Sequence, residues 1–427
     1  MAIVTGACVG VAGGFLLTDG DAIGLAIAIS GVATAMAASY FIVPKGARSV
    51  VLPIVLLAIL IRVAAAVVLY EALLAAGRGG FVTGDDAGYA NLSTRLARIL
   101  HGETAPFASS TEGSLLGTFV YLETAIFYLL GPKALYVEML NAVMGGMLVT
   151  LAFDTARRLS GDLRAGIIGG TLVAVYPSLV LWSALNLKDS VLLLLIAIVL
   201  WLLVVFQMKP RLWLVPVTFI ALLPADSLRT YIFVGLSLVI PATVVLTPRL
   251  GARDRTLMTA LAVGLSILLL TTQSNPTGLR SFSDLDAERN AMGVGANTNF
   301  GDQPFHIRVF YVLLAPFPWS PRRILDLLPV PEMLLWYAAL AGAFIVAVRG
   351  SVSWRLLAPL ALFIAGSMAV FVLAEGNVGT LYRHRATVVP FVLVLASPLF
   401  AAALNWHAPK QSVAADAARL ANQRGDV

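Results

Sequence analysis

Residues 50–89 read VVLPIVLLAILIRVAAAVVLYEALLAAGRGGFVTGDDAGY, and this stretch sets the class of the protein. The run from Val50 to Ala76 is apolar except for Arg62 and Glu71. At ~1.5 Å per residue it is long enough to cross a hydrocarbon core of ~30 Å. Gly77-Arg78-Gly79-Gly80 ends it, and Thr83-Gly84-Asp85-Asp86-Ala87-Gly88-Tyr89 follows. Two carboxylates at the mouth of a membrane helix are candidate general bases held where water meets lipid. The same residues also suit a helix N-terminus in a solvated loop, because Asp is a favoured cap and Asn91-Leu92-Ser93 continues a helical pattern.

Working outward, composition extends the membrane reading to the whole chain. Of 427 residues, 59% are hydrophobic and only 12% charged, and mean hydropathy is +0.89. A soluble domain carries roughly 25% charged residues, so the expected class is an all-α polytopic membrane protein. The first fifteen residues hold no Lys or Arg and a second apolar run follows them, which does not fit a cleavable signal peptide. Cys8 is the only cysteine, so no intrachain disulfide forms. The net charge of +6 is spread in ones and twos between apolar runs. That distribution is a topology signal and excludes a nucleic-acid groove.

Apolar spans are expected at about 2–17, 22–43, 50–76, 133–156, 165–183, 189–207, 212–225, 229–247, 256–272, 331–348, 355–374 and 386–404. The runs 115–131 and 305–318 are short and interrupted, which suits re-entrant or juxtamembrane segments in outer loops. With about twelve crossings, Lys45/Arg48, Arg157/Arg158/Arg164, Lys209/Arg211, Arg249/Arg253/Arg255 and Arg349/Arg355 collect on one side, which the positive-inside tendency makes cytoplasmic. The stretches 77–132 and 273–330 then lie outside. The expected organisation is an N-terminal transmembrane hairpin (1–49), one membrane catalytic domain (50–404) and a cytoplasmic tail (405–427), in the plasma (inner) membrane with the site facing outside or the periplasm.

The charged residues at the outer ends of the spans form the candidate site. Asp85, Asp86, Tyr89 and Arg95 follow the third span; Lys188 and Asp189 open the sixth; Arg229 precedes the eighth; Arg289 lies in the second long loop; Tyr382, Arg383, His384 and Arg385 precede the last. Any one of these suits an interfacial anchor or a contact to bulk anionic lipid. Together they place cations around two carboxylates, which fits an anionic ligand such as a lipid phosphate. Arg383 and Arg385 are forks for phosphate oxygens, His384 between them titrates near neutrality, and Lys188 sits where a helix dipole favours a phosphate. With Asn377-Val378-Gly379-Thr380 read as a loop, Arg383 and Arg385 are expected to converge on one phosphate. Arg62, near mid-span, is expected to pair with a carboxylate of another helix such as Glu138. His101, His306, His384 and His407 are scattered, and no metal or other cofactor is expected.

The order of these parts resembles the GT-C superfamily of polyprenyl-phosphate-sugar glycosyltransferases, which includes the protein O-mannosyltransferases and the bacterial aminoarabinose and galacturonic acid transferases. The resemblance rests on Gly84-Asp85-Asp86-Ala87-Gly88-Tyr89 after an early helix, Tyr128-Leu129-Leu130-Gly131, Ala156-Arg157-Arg158-Leu159-Ser160-Gly161, and Tyr176-Pro177-Ser178. Trp182-Ser183…Leu187-Lys188-Asp189, Ala315-Pro316-Phe317-Pro318-Trp319 and Asn377…Gly379-Thr380…Arg383-His384-Arg385 resemble a bacterial polysaccharide-associated branch. It covers roughly residues 50–400. Gly113-Ser114-Leu115-Leu116-Gly117 stands where that family usually has a Pro-Pro pair.

The resemblance implies a membrane glycosyltransferase that moves a hexosyl or pentosyl group from a polyprenyl-phosphate donor to a glycan, lipid or protein acceptor on the outer face, with inversion. Asp85 or Asp86 would take the acceptor proton, and Lys188, Arg383 and Arg385 would stabilise the departing phosphate. Two alternatives stay open: a polysaccharide polymerase or ligase using a diphosphate-linked glycan, with its site in the second long loop, and a lipid-linked-sugar flippase or transporter. The second needs ionisable residues along a mid-span path, where only Arg62, Glu71, Glu138 and Asp154 occur.

Overall fold

A segment in lipid has no water to bond its N–H and C=O groups, so a chain this apolar satisfies its backbone within helices. The computed structural model describes residues 22–103, 116–272, 299–319 and 329–404. Among these the chain is helical, with a single antiparallel bridge between Asn299 and Asn377. In chain order the helices are α1 (Ala22–Ile42), α2 (Arg48–Ala75), α3 (Gly84–Leu100), α4 (Thr118–Leu130), α5 (Ala134–Ser160), α6 (Leu163–Val175), α7 (Pro177–Ser183), α8 (Asp189–Met208) and α9 (Leu214–Leu222). They continue as α10 (Ala225–Leu228), α11 (Thr230–Leu246), α12 (Ala252–Thr272), α13 (Phe305–Leu314), α14 (Val330–Val348), α15 (Trp354–Ala374), α16 (Val378–Arg385) and α17 (Val389–Ala403).

Among the described residues seven helices are long and apolar enough to cross a membrane, and the bent pairs α6–α7 and α16–α17 raise the number to nine. The twelve spans expected from hydropathy are therefore not all present as such. The run 2–17 lies outside the described residues. The runs 212–225 and 229–247 are apolar helices too short to meet the same criterion. The runs 115–131 and 305–318 become α4 and α13, of 13 and 10 residues, which fits segments that do not cross. Of the expected hairpin, residues 22–49 are described and the rest are not, and the expected tail lies outside the described residues; α1 packs against α5 and α2.

At the centre stands α5, packed on α1, α2, α6, α8 and α17. Glycine lets α2 and α7 approach it closely: a Cβ on Gly146 would lie 2.1 Å from Ile59 Cγ1 of α2, and one on Gly145 would lie 2.7 Å from Ser183 Cβ of α7. At one end of the bundle Asp154, fully buried, gathers Arg157, Arg158 and Trp201 Nε1, and Arg249 after α11 donates to the Met208 carbonyl that closes α8. The candidate site forms at the other ends of α8 and α11.

Two crossings break, and the first break has a local cause. Pro177 supplies no N–H to the Val173 carbonyl, so α6 ends at Val175 and α7 leaves at 57°. The freed ends are capped by charge. Arg62 Nη2 donates to Val173 O at 3.0 Å and Nη1 to Ala174 O at 2.9 Å, while Glu332 Oε2 accepts from Ser178 N at 2.8 Å. A cation on carbonyls and a carboxylate on an N–H match the dipoles of the two helix ends. Arg62 thus pairs with backbone, not with Glu138 as expected. The second break separates α16 from α17 by 60°.

Candidate active site

The turn after α2 brings the first two acids into place. Gly77, Gly79 and Gly80 hold φ of 70°, 64° and 88°, a left-handed backbone that glycine adopts without steric cost. They turn the chain back so that Gly80 packs on the Tyr70 ring. Thr83 then caps α3 in a reciprocal box with Asp86: Asp86 N donates to Thr83 Oγ1, and Thr83 N donates to Asp86 Oδ1 at 2.9 Å. Asp86 also accepts from Val82 N at 2.8 Å and Ala87 N at 2.9 Å, and only 1% of the residue is exposed. All its acceptor capacity goes into the turn.

Asp85 is the opposite case. Its side chain is 57% exposed, and its Oδ2 accepts one bond, from Arg383 Nη1 at 2.7 Å. Arg383 reaches it from α16 while its Nε and Nη2 donate to Asp189 Oδ2 at 2.9 and 2.6 Å. The other oxygen of Asp189 takes Arg229 Nη2 at 2.7 Å, and Arg229 Nη1 donates to the Tyr231 hydroxyl at 3.2 Å. A chain of alternating charge thus runs Asp85–Arg383–Asp189–Arg229 and joins four stretches that are remote in sequence. Beside it stands Lys188, its Nζ 6.0 Å from the Tyr89 ring centroid. Among the described residues no carboxylate pairs with Lys188. Burial, and then the neighbouring Arg229, lower its ammonium to about 8. Burial and the Asp85 charge push the Tyr89 hydroxyl up to about 12.

Of the predicted site residues, Asp85, Asp86, Tyr89, Lys188, Asp189, Arg229 and Arg383 come together. Arg95 lies further along α3, partly buried. Arg289 lies outside the described residues. Tyr382, His384 and Arg385 do not join the cluster: Asn377 caps a helix through its bond from Gly379 N, and the helix turns these side chains to other partners. Tyr382 donates to Glu332 Oε2 at 2.7 Å, and His384 Nδ1 pairs with Glu375 Oε1. Arg385 is buried against Trp336 and Tyr382, with Nη2 on Met333 Sδ at 3.1 Å. The expected convergence of Arg383 and Arg385 on one phosphate is therefore overturned. Residues two apart on a helix point about 200° apart.

Sequence reading also missed a layer behind the turn. Asn186 Nδ2 donates to the Asp86 carbonyl at 3.3 Å and to Glu123 Oε1 at 2.7 Å, while Asn141 Nδ2 bonds the Leu185 and Leu187 carbonyls at 2.8 and 2.9 Å. These amides hold the loop that presents Lys188. The only signal in the sequence is the acid itself: Glu123 interrupts the apolar run TFVYLETAIFYLL, a costly placement.

A narrow slot of about 20 Å³, room for roughly one water, opens beside the charged chain. Asp189 and Arg383 line it together with Leu193, Leu194 and Trp182, and Arg62 lies on its wall. Both helix breaks adjoin it, consistent with irregular backbone being tolerated at membrane depth where it lines a cavity. A second groove of about 360 Å³ runs between α11 and α15, with apolar walls and Tyr231 and Ala374 among its lining residues. Apolar channels next to a cationic cluster suit an amphiphile with an anionic head.

No family model matches the sequence, and no curated protein matches it. Among solved structures the chain is similar to ArnT from Cupriavidus metallidurans, a crystal structure bound to undecaprenyl phosphate, with a TM-score of 0.51 and 14% identity over 82% of this chain. The chain spans about 60% of the length of that protein. At this identity the likeness is one of fold, and it bears out the all-helical membrane architecture that the sequence motifs implied. The chain shares the fold of ArnT.

Proposed function

We propose that the protein is a membrane glycosyltransferase that moves a sugar from a polyprenyl phosphate to an acceptor hydroxyl at the outer face of the plasma (inner) membrane, with inversion and with Asp85 as the base. The observation that carries this reading is the contrast between the two aspartates. Asp86 spends its oxygens on the helix cap, whereas Asp85 is half exposed and, among the described residues, bonded to Arg383 alone. A base needs a free lone pair within reach of the proton it removes.

In the proposed step Asp85 takes the acceptor's hydroxyl proton as the oxygen attacks the anomeric carbon from the face opposite the phosphate. The new C–O bond forms as the bond from the anomeric carbon to the phosphate oxygen breaks, and the electron pair leaves on the lipid phosphate. Lys188 and Arg383 face the charge that develops there, and the proton ends on Asp85. The ArnT structure, bound to undecaprenyl phosphate, supports a polyprenyl-phosphate donor for this fold. A glycan, a lipid or a protein are the acceptor classes considered.

The test uses the full chain in lipid nanodiscs with undecaprenyl phosphate carrying glucose, mannose, galacturonic acid or 4-amino-4-deoxyarabinose, together with a panel of glycan, lipid and peptide acceptors, and follows acceptor-dependent release of undecaprenyl phosphate. Asp85→Asn should lower turnover by about 10²–10⁴, the usual contribution of a positioned base. Asp86→Asn should chiefly cost stability, by about 1 kcal/mol as for a lost cap. Near wild-type turnover in Asp85→Asn sinks the assignment.

A further inference from the structure

Three acids lie behind the turn that carries Asp85: Asp86 on α3, Glu123 on α4 and Glu138 in the second turn of α5. They are 1%, 0% and 2% exposed. Among the described residues no Lys or Arg pairs with any of them. Asp86 has its charge met by the N–H groups of the helix cap. The other two have nothing comparable. Glu123 Oε1 accepts from Asn186 Nδ2 at 2.7 Å and Oε2 from Ser93 Oγ at 2.8 Å, both neutral donors. Glu138 Oε2 is buried and meets no donor among the described residues. Buried carboxylates left in this state are costly.

Two amides add oxygens in the same condition. Asn186 Nδ2 is committed to Glu123 and to the Asp86 carbonyl, and Asn141 Nδ2 to the carbonyls of Leu185 and Leu187. All of those partners are acceptors, so neither amide can be turned around. The Oδ1 atoms of both are buried and without a donor among the described residues. These groups are neighbours. Leu185 and Leu187 flank Asn186, which sets Asn141 against that residue. Glu138 precedes Asn141 by three residues and shares its face of α5. The charged groups that act on Glu138 are Asp86 and Glu123, and α4 itself packs on α5.

One buried spot between α4, α5 and the loop before Lys188 therefore gathers two uncompensated carboxylates and two orphaned amide oxygens. Water supplies hydrogens to such a spot but no charge; a cation satisfies the oxygens and balances the acids together. Among the described residues no three of His, Cys, Asp and Glu cluster as metal ligands, so the amides complete the donor set. That set is all oxygen, which selects a hard cation, and two carboxylates balance a divalent one. Magnesium demands near-ideal octahedral geometry and keeps several waters, whereas calcium accepts roughly six to eight oxygens in an irregular cage. We propose that Glu123, Glu138, Asn141 and Asn186 form a calcium site that ties α4 and α5 to the loop presenting Lys188 and Asp189. No part of this inference uses the proposed function.

The experiment uses the full chain, treated with EGTA, in nanodiscs of phosphatidylcholine, which keeps anionic headgroups out of the measurement. Radioactive calcium is titrated, and thermal melting is followed with CaCl2, MgCl2 and NaCl at equal ionic strength. Wild type should take up about one ion per chain above empty nanodiscs and melt higher with calcium than with either other salt. Glu123→Gln and Glu138→Gln change charge at constant volume, and a glutamine at 123 still accepts from Asn186 and donates to Ser93. Each should weaken calcium binding by about tenfold or more, and each should melt no lower than wild type when calcium is absent, because a buried charge is gone. Asp254→Asn, at the exposed start of α12, should bind as wild type does. Uptake no greater than that of empty nanodiscs means that protons and water alone serve the site and overturns the inference. Equal affinity in wild type and both glutamine variants means an adventitious ion only and overturns it as well. Equal melting shifts with magnesium and calcium overturn the choice of ion.

Discussion

Asp85 and Asp86 are chemically identical and adjacent, yet their neighbours give them opposite tasks. The capping box fixes Asp86 because its backbone position is three residues after Thr83, so its carboxylate falls back onto the free N–H groups of the helix start. Asp85 lies one position earlier and points to Arg383. Lys188 shows the same dependence on surroundings. Half buried beside Arg229, with its ammonium lowered to about 8, it is partly neutral at mildly alkaline pH in the empty site. A bound phosphate favours the charged form and raises that value again, so binding takes up a proton above pH 8. Affinity for undecaprenyl phosphate should accordingly weaken by about tenfold between pH 7.5 and 9.5, a loss of the order of one pKa unit of coupling. Lys188→Met should bind more weakly at pH 7 and show no such step. A titration in nanodiscs at fixed lipid composition checks both, and an unchanged slope in the variant removes Lys188 from the phosphate site.

At the scale of elements, the working surface depends on two helices that do not continue. The α6–α7 break frees carbonyls and an N–H that Arg62 and Glu332 take up, so two charges at membrane depth serve the backbone. On α16 the helical twist sends neighbouring cations to different places. Arg383 faces Asp85 and Asp189, and Arg385 faces Trp336 and Met333. Arg383→Ala should therefore lower undecaprenyl-phosphate affinity at least tenfold, about the effect of one charge-assisted bond, with partial rescue by Lys because the fork is lost. Arg385→Ala should keep affinity within about threefold and instead cost about 1–3 kcal/mol of stability, through the emptied space between Trp336 and Tyr382. Binding and thermal melting, measured on both variants, separate the roles. Equal losses of affinity would return the two arginines to a shared site.

For the whole molecule, the clusters at the two ends of the bundle differ in kind. One end carries the alternating chain from Asp85 to Arg229 beside Lys188; the other carries Arg157, Arg158 and Arg249 on Asp154 and on helix-end carbonyls. By the positive-inside tendency we propose that the second end faces the cytoplasm. Gly84 and Gly251 are exposed, with open space where a Cβ would stand. In a Cys8→Ala background, Gly84→Cys should react with an impermeant maleimide added to intact cells, and Gly251→Cys should react only after the membrane is opened. The reverse pattern would turn the molecule over and move the proposed reaction to the cytoplasmic face.

Much of this architecture is a property of short windows and was legible without coordinates. Hydropathy over a bilayer's length placed the helices that became Ala22–Ile42, Arg48–Ala75, Asp189–Met208, Val330–Val348 and Trp354–Ala374, because a backbone in lipid must close its hydrogen bonds within the segment. The outer-end acids and cations were likewise visible as charges that a chain this apolar otherwise avoids. Some misreadings were local ones. Pro177 marked a break within the run 165–183, and Asn377 marked a helix start where a loop was expected. The remaining assignments could not be read from any window. Which aspartate is free, which arginine meets it, what Arg62 bonds and what Glu123 bonds all depend on groups brought together from remote parts of the chain. The side-chain types and the periodicity of a segment state what it can bond; only the packing of α3, α4, α8, α11 and α16 decides which of those partners is within hydrogen-bond distance.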